Sequence, residues 1–368
     1  ILLQQQYAQG LINALQLQGD PVLAMVEISN EGSVVQAWQG GQLDPVLVGD
    51  YRTALQNEWN AWLLAKYQTT AALAQAWGAT TPDGPNLLLG NWQLEVHAPA
   101  VATVTATTTN GIPTEQVHVI QGGNWVFLKQ TGFNMTAGNH YRWTFQARAD
   151  LANGATANVP VSVMRDDSPW DGYSVSPYSI AVTNQWQTFT VLANASFNIL
   201  VNPTQPDGGR AMMEVDGVGA DVYVRSATLV QAGLNGLASG QTLEQGNLTL
   251  PGPTDNPSPV RLNDYAAFLT WVDQHYVNTI RDTVRAVTDP LVPITGTQMD
   301  YGGLSILDSQ DGLDYQDNHF YIDHPQFPGI AWDPWDWHIA DQAAADQTWS
   351  SFVDMAWARE AGRPYTVS

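Results

Sequence analysis

Residues 140–149 read HYRWTFQARA, and this run decides the fold of the middle of the chain. Tyr141, Trp143, Phe145 and Ala147 alternate with Arg142, Thr144, Gln146 and Arg148, the period-two pattern of a strand with one buried and one wetted face. The alternation returns in QWQTFTVLA at 185–193, and turn residues bound both runs. Residues 86–232 are rich in Thr, Val, Asn and Gly, and they predict an antiparallel β-sandwich (jelly-roll) domain that needs no helix.

The flanking segments have a different texture. GATTPDGPN (78–86) has the Gly, Pro and Asp of a linker, and the loops QAGLNGLASGQTLEQGN (231–247) and LPGPTDNPSP (250–259) follow the sandwich. Residues 1–80 read helix, strand, loop, helix, the last carrying Leu55, Trp59, Trp62 and Leu63 at helical spacing. After residue 233 come a helix over 262–287, strand-like runs at 290–298 and 313–322, a tryptophan-rich loop and a helix around 343–361. Alternating strands and helices predict parallel pairing with right-handed crossovers, in an open sheet or a barrel. The simplest organisation is one α/β domain, with its first part in 1–80 and its second in 233–368, interrupted by a sandwich over 86–232. Such insertions are tolerated because domain termini commonly lie close together at the surface.

With 368 residues, 44% hydrophobic and 13% charged, the chain has the material for a buried core and for two or three domains. A net charge of −22 with two lysines, Lys66 and Lys129, lacks the cationic footprint that nucleic acid or an anionic membrane requires. Without cysteine there are no disulfides, thiolate metal sites or cysteine nucleophiles. No apolar run is long enough to span a bilayer, and no signal peptide is visible. The opening ILLQQQYAQGLINAL reads as a helix already under way, so further sequence is expected upstream.

Residues 24–33, AMVEISNEGS, place Val26 and Ile28 on one face of a strand and Glu27 and Ser29 on the other, then break at Asn30, Glu31 and Gly32. On this alternation Glu27 points away from Asn30 and is structural. Polar groups also end the later strand-like runs, at Gln298 and at His319 with Tyr321. The carboxyl ends of parallel strands are where an α/β barrel carries its site.

These residues carry a resemblance. VEISNEGS (26–33) resembles the fourth strand of the (β/α)8-barrel glycoside hydrolases of the cellulase/mannanase clan, in which an Asn-Glu pair supplies the general acid/base. NHFYIDHP (318–325) resembles the clan's sixth strand, with its His-x-Tyr, and GRPYTVS (362–368) the opening of the seventh, which carries the nucleophilic Glu. NLLLGNWQLE (86–95), AGNHYRWTFQARAD (137–150), QWQTFTV (185–191) and VYVRSATLV (222–230) are similar to four/nine-type carbohydrate-binding modules. The resemblance implies a fold of α/β plus all-β class: a partial (β/α)8 barrel, with about strand 4 in 1–80 and about strands 5 to 7 in 233–368, interrupted by the module.

It further implies a secreted protein, extracellular or on a bacterial cell surface, that hydrolyses a β-linked polysaccharide or oligosaccharide with retention and without a cofactor. Such a mechanism needs two carboxyl groups about 5–5.5 Å apart. Glu31 would be the general acid/base, its pKa raised by a neighbouring carboxylate. Asn30 would hydrogen-bond the sugar hydroxyl beside the anomeric centre, Tyr321 would orient the nucleophile, and His319 would tune the protonation of the pair. The nucleophile is expected beyond Ser368, and strands one to three would come from outside this sequence or from another chain completing the barrel. The alternative is a non-catalytic carbohydrate-binding protein with an incomplete or silent barrel.

Gln298 and the tryptophans of FPGIAWDPWDWH (327–338), Trp332, Trp335 and Trp337, are candidate substrate-binding residues, since indole faces stack on sugar rings. In the sandwich, Trp125 joins Trp170 and Tyr173 of SPWDGYSVSPY (168–178) as a candidate sugar platform, while Trp92, Trp143 and Trp186 fit core positions. Asp311, Asp314, Asp317, Asp323 and His324 have the chemistry of a divalent-ion site, but such a run is read as loop and turn chemistry and no metal is assigned. Modules of the resembled type hold a structural calcium near an Asp of the last strand. Arg225 and Ser226 stand there in this sequence, which argues against it.

Overall fold

The computed structural model describes residues 1–204, 206–298, 304–321, 323–341, 343 and 349–367. The chain divides into two compact units: Ile1–Gln68, Gly246–Leu250 and Leu262–Ser368 form one, and Thr69–Gln245 with Pro251–Arg261 form the other. The first unit opens with α1 (Leu2–Ala14), β1 (Val26–Glu27), α2 (Val34–Gln39), α3 (Leu43–Val46) and α4 (Gly49–Tyr67). The second opens with α5 (Thr70–Trp77) and continues as β2 (Gln93–Val96), β3 (Val101–Thr109), β4 (Ile112–Gln121), β5 (Val126–Phe133) and β6 (His140–Ala149). Its remaining strands are β7 (Ala157–Arg165), β8 (Ser174–Ser176), β9 (Ser179–Val182), β10 (Gln187–Asn194), β11 (Gly209–Glu214) and β12 (Val222–Gln231). The chain closes with α6 (Pro259–Arg285), β13 (Ile294–Thr295), α7 (Leu304–Ser309), β14 (Gln316–Asn318), α8 (Trp349–Glu360) and β15 (Tyr365–Val367).

Strands β2 to β12 build an antiparallel sandwich of a six-stranded sheet, ordered β3-β4-β12-β6-β10-β8, and a five-stranded sheet, ordered β2-β5-β11-β7-β9. In β6 the buried side chains are Tyr141, Trp143, Phe145, Ala147 and Ala149, and the residues between them are more open. Their register against β10 sets Phe145 opposite Phe189 and Trp143 opposite Val191. The five-stranded sheet adds Val126, Leu128, Val159, Val161, Val163, Ala211 and Met213 to the same core. Each fully buried aliphatic or aromatic side chain of this kind contributes about 1.5–3 kcal/mol relative to exposure.

Trp143 is fully buried and Trp92 packs against the core, but Trp186, expected inside, lies outside it. The strand begins only at Gln187, so the alternation does not extend back to Trp186. Its ring instead lies under the guanidinium groups of Arg225 and Arg148, at 3.9 and 5.6 Å.

The incoming and outgoing segments of the sandwich run side by side. Leu237 N–H donates to Gly78 O (2.8 Å), Thr81 N–H to Leu234 O (2.9 Å) and Gly84 N–H to Gln231 O (2.8 Å). Gly233 and Gly236 make this approach possible, because a Cβ on either would overlap the carbonyls of Thr81 and Gly78 respectively.

In the first unit, Trp59 of α4 packs on Phe268 and Tyr265 of α6, with ring centroids 5.2 and 5.6 Å apart. Tyr265, Phe268, Leu269, Val277, Ile280 and Val284 recur along α6 at the spacing of one helical face, and all are buried. Asn60 donates through Nδ2 to Leu248 O and accepts from Leu248 N–H, both at 2.9 Å, which pins Gly246–Leu250 to α4.

Strand β1 pairs parallel with β13, Val26 opposite Ile294 and Glu27 opposite Thr295. Strand β14 pairs parallel with β15, and a single parallel bridge joins Gln298 to Asp317 between the two pairs. Parallel pairing follows the expectation, but among the described residues these short strands form two two-stranded sheets and no closed (β/α)8 barrel. The expected runs are cut short by chain breakers: Pro293 and Gly296 bracket β13, and Gly32 follows β1 closely. Of the helix expected around 343–361, α8 covers Trp349–Glu360, and residues 344–348 lie outside the described residues. No helix among the described residues is long and apolar enough to cross a membrane.

Candidate functional site

Each unit presents one arrangement of chemical interest. In the sandwich it is the outer face of the five-stranded sheet. Alternation in β5 sends Val126 and Leu128 inward and Phe127 and Lys129 outward, while β11 sends Ala211 and Met213 inward and Arg210 and Met212 outward. Lys129 Nζ lies 2.7 Å from both Glu95 Oε2 and Asp166 Oδ1, and Arg210 Nη1 lies 3.3 and 3.2 Å from the same two oxygens. His97 Nε2 is 2.7 Å from the other Glu95 oxygen. Burial alone would raise the Glu95 carboxyl, but hydrogen bonds from Lys129 and His97 and the charges of Lys129 and Arg210 outweigh it and hold the group below its usual value.

Aromatic rings flank this network. Trp125 is 54% exposed and stacks on Phe127 at 6.1 Å, with the His97 ring edge-on to both. On the other side the Arg210 guanidinium lies 5.6 Å from the Phe127 ring and 5.1 Å from that of Trp170, which is 50% exposed. Trp170 has φ of 63°, a left-handed conformation that costs a bulky residue about 1–2 kcal/mol. Two of the three expected platform residues are therefore on the surface. Tyr173 is not: it is 6% exposed, packs on Phe197 at 4.7 Å and donates its hydroxyl to Phe197 O at 2.6 Å. A buried ring with a satisfied hydroxyl offers nothing to a ligand, so Tyr173 is a core residue.

The sequence reading passed over Glu95, Phe127, Lys129, Asp166 and Arg210. The signal available was VFLKQTGF (126–133), where one of the chain's two lysines alternates with buried apolar residues.

In the first unit the arrangement is a cluster at the strand tips. Ser29 N–H donates to Gly296 O (2.8 Å), which ends the parallel pairing, and Thr297 Oγ1 donates to Asn30 O (2.8 Å), which holds the turn. Glu31 then reaches His319, with Oε1 2.9 Å from Nδ1. His319 Nε2 faces Asp317 Oδ2 at 3.6 Å and Glu27 Oε1 at 3.9 Å.

Glu27 was expected to point away from this side. The strand is only two residues long, so alternation no longer governs the chain by Asn30, and Glu27 joins the cluster. Burial raises its carboxyl, the Asp317 charge adds to that, the His319 ring opposes it, and Glu31 raises it again. Asp317, read from sequence as turn chemistry, is a strand residue 4% exposed, its Oδ1 accepting from the Thr366 hydroxyl.

Asn30 is exposed. Gln298, expected to bind substrate, is instead buried beside Asn30 O and paired to Asp317, so its side chain does not face solvent. Tyr321 is exposed, its ring edge-on to His319 at 6.4 Å and to His324 at 5.6 Å, and Trp332 continues the series at 5.6 Å from His324. Trp335 and Trp337 are exposed as well, Trp335 at 92%.

A cavity of about 650 Å³ also lies in this unit, lined among others by Val34, Leu43, Leu55, Trp271 and Asp273. Its walls are mainly apolar and offer few donors for sugar hydroxyls. Asp273 is buried there, accepts from the Val34 and Val35 N–H groups at the start of α2, and is pushed up to about 6 by burial against those hydrogen bonds.

The chain matches no family model and no curated protein. Among solved structures it is similar to one described as "CBM4 structure and function", with 17% identity over 43% of this chain and 97% of that one and a TM-score of 0.30. It is also similar to the CBM22-1 xylan-binding domain from Paenibacillus barcinonensis Xyn10C, with 13% identity over 41% and 97% and a TM-score of 0.29. A third is the N-terminal cellulose-binding domain from Cellulomonas fimi β-1,4-glucanase C, with 18% identity over 41% and 97% and a TM-score of 0.31.

Proposed function

We propose that this chain binds a polysaccharide or oligosaccharide on the outer face of its five-stranded sheet. The observation that carries this reading is the pair of exposed indoles, Trp125 stacked on the buried Phe127 and Trp170 beside the buried Arg210, held over the charge-compensated network of Glu95, Lys129, Asp166 and Arg210. Exposed indole planes stack on sugar rings, and the mutually paired ionic groups beneath them add no net field that would favour a charged ligand. Backbone strain at Trp170 supports the same reading, since strained residues gather at binding sites. Such a partner fits a protein working outside the cell or on its surface. Titration of the full chain with a panel of neutral β-glycans tests it. Trp170→Ala and Trp125→Ala should each weaken the best ligand by about 1–3 kcal/mol, as truncated aromatic anchors do. Affinity unchanged in both variants would remove the platform.

A second reading has its own observation, the Glu31–His319 contact at the carboxyl ends of parallel strands. In that reading the chain is part of a retaining glycoside hydrolase with Glu31 as general acid/base. Glu31→Gln would then abolish turnover of poor leaving groups while sparing the first step on an activated aryl glycoside. Hydrolysis of natural glycan at the parental rate by the variant would rule it out.

A further inference from the structure

We propose that Glu27, Asp317 and His319 form a binding site for one divalent transition-metal ion of the zinc(II) class, with Glu31 as the outer carboxylate that orients the imidazole. One ligand atom from each of the three residues lies within 4.8 Å of the others. The separations from His319 Nε2, 3.6 Å to Asp317 and 3.9 Å to Glu27, are too long for hydrogen bonds. They suit donor atoms arranged around an ion: nitrogen and oxygen ligands bonded at about 2.0–2.2 Å stand about 3.4 Å apart at a tetrahedral angle. The ring is also posed for coordination: Nδ1 lies 2.9 Å from Glu31, so with the ion bound Nδ1–H donates to that carboxylate and Nε2, which faces the two inner carboxylates, is the ligand atom. A carboxylate on the far nitrogen is the usual partner of a metal-bound imidazole, fixing its tautomer and raising its basicity.

The backbone holds these groups in place. Glu27 sits on β1, paired with β13, while Asp317 sits on β14, between the Gln298 bridge on one side and β15 on the other. Asp317 Oδ1 accepts from the Thr366 hydroxyl of β15, and Oδ2 faces the imidazole. The donor set selects the ion. One imidazole and two carboxylates, in a chain without thiolates, suit zinc(II), manganese(II) or iron(II), whereas calcium and magnesium take all-oxygen sets. The inference is independent of glycan binding by the sandwich, and it is tested by metal binding and not by turnover.

The experiment is calorimetric titration of the full chain, freed of metal by chelator and dialysed at pH 7, with zinc chloride and in parallel with calcium and magnesium chloride. Saturable binding of one equivalent of zinc, without comparable binding of calcium or magnesium, is expected. Asp317→Asn and His319→Gln should each weaken zinc binding at least tenfold, and Glu31→Gln about 10–100-fold, as loss of an outer-shell partner does. Glu27 is an exposed residue of a two-residue strand, so Glu27→Gln decides the matter should the buried variants fail to fold. An affinity unchanged in Glu27→Gln, the absence of saturable zinc binding, or equal binding of calcium would each overturn the site.

Discussion

Asp273→Asn should make the α/β unit less dependent on pH, and the size of the effect follows from the burial of this carboxyl. Asp273 lies under the start of α2, its oxygens accepting from Val34 N–H at 3.0 and 3.1 Å, and desolvation moves it from 3.8 to about 6. Once ionised, a carboxyl so placed costs the folded chain about 3 kcal/mol relative to the unfolded one. Because the folded value is raised, the folded state holds more protons than the unfolded state between pH 4 and 6. Stability from this group is therefore fully present below about pH 4 and is lost as the pH rises through 6. Asparagine keeps an acceptor for the Val34 N–H and cannot ionise. Urea unfolding of both proteins, followed by tryptophan fluorescence at pH 4 and pH 7, should show the variant gaining about 2.5 kcal/mol on the parent between the two conditions. A carboxyl carbon titration by NMR should place the Asp273 midpoint near 6. A midpoint at or below 4, or a stability difference that does not move with pH, would refute the reasoning.

Two further outcomes are expected in the sandwich. Asp166→Asn leaves the half-buried Lys129 and the buried Arg210 with Glu95 alone, and should destabilise the unit by about 3 kcal/mol in denaturant titration; a change below about 1 kcal/mol would mean the network is solvated. Tyr173→Phe should cost about 1 kcal/mol through the lost bond to Phe197 O and leave glycan affinity untouched, whereas weakened binding would return Tyr173 to the platform.

What could be read in the sequence was what repeats with a period. The alternation in β6 and β10 named the buried side of the sandwich residue by residue, because side chains on a strand have no choice of face. Loops carry no such rule. Within PWDGY the sequence could not say that Trp170 would turn to solvent at positive φ while Tyr173 turned into the core. Nor could it assemble Glu95, Lys129, Asp166 and Arg210, which come from well-separated stretches of chain and meet only through strand order. At the strand tips, AMVEISNEGS was long enough to suggest a regular strand, yet only Val26 and Glu27 pair, and Glu27 and Glu31 both approach one imidazole. Gln298 was legible as the end of a parallel strand and not as a buried side chain, because burial there depends on β14, contributed by residues further along the chain.

The paired segments at Gly78–Gly84 and Gln231–Leu237 have a mechanical consequence. A tension applied to the chain at Gly78 and Leu237 enters and leaves the sandwich through two neighbouring segments, so it first meets the few hydrogen bonds between them and not the strand ladders beyond. Those bonds open one after another under load, while the sheets that carry Trp125 and Trp170 lie outside the path of the force. A glycan held on that face would stay bound to an intact surface while the chain on either side was being stretched.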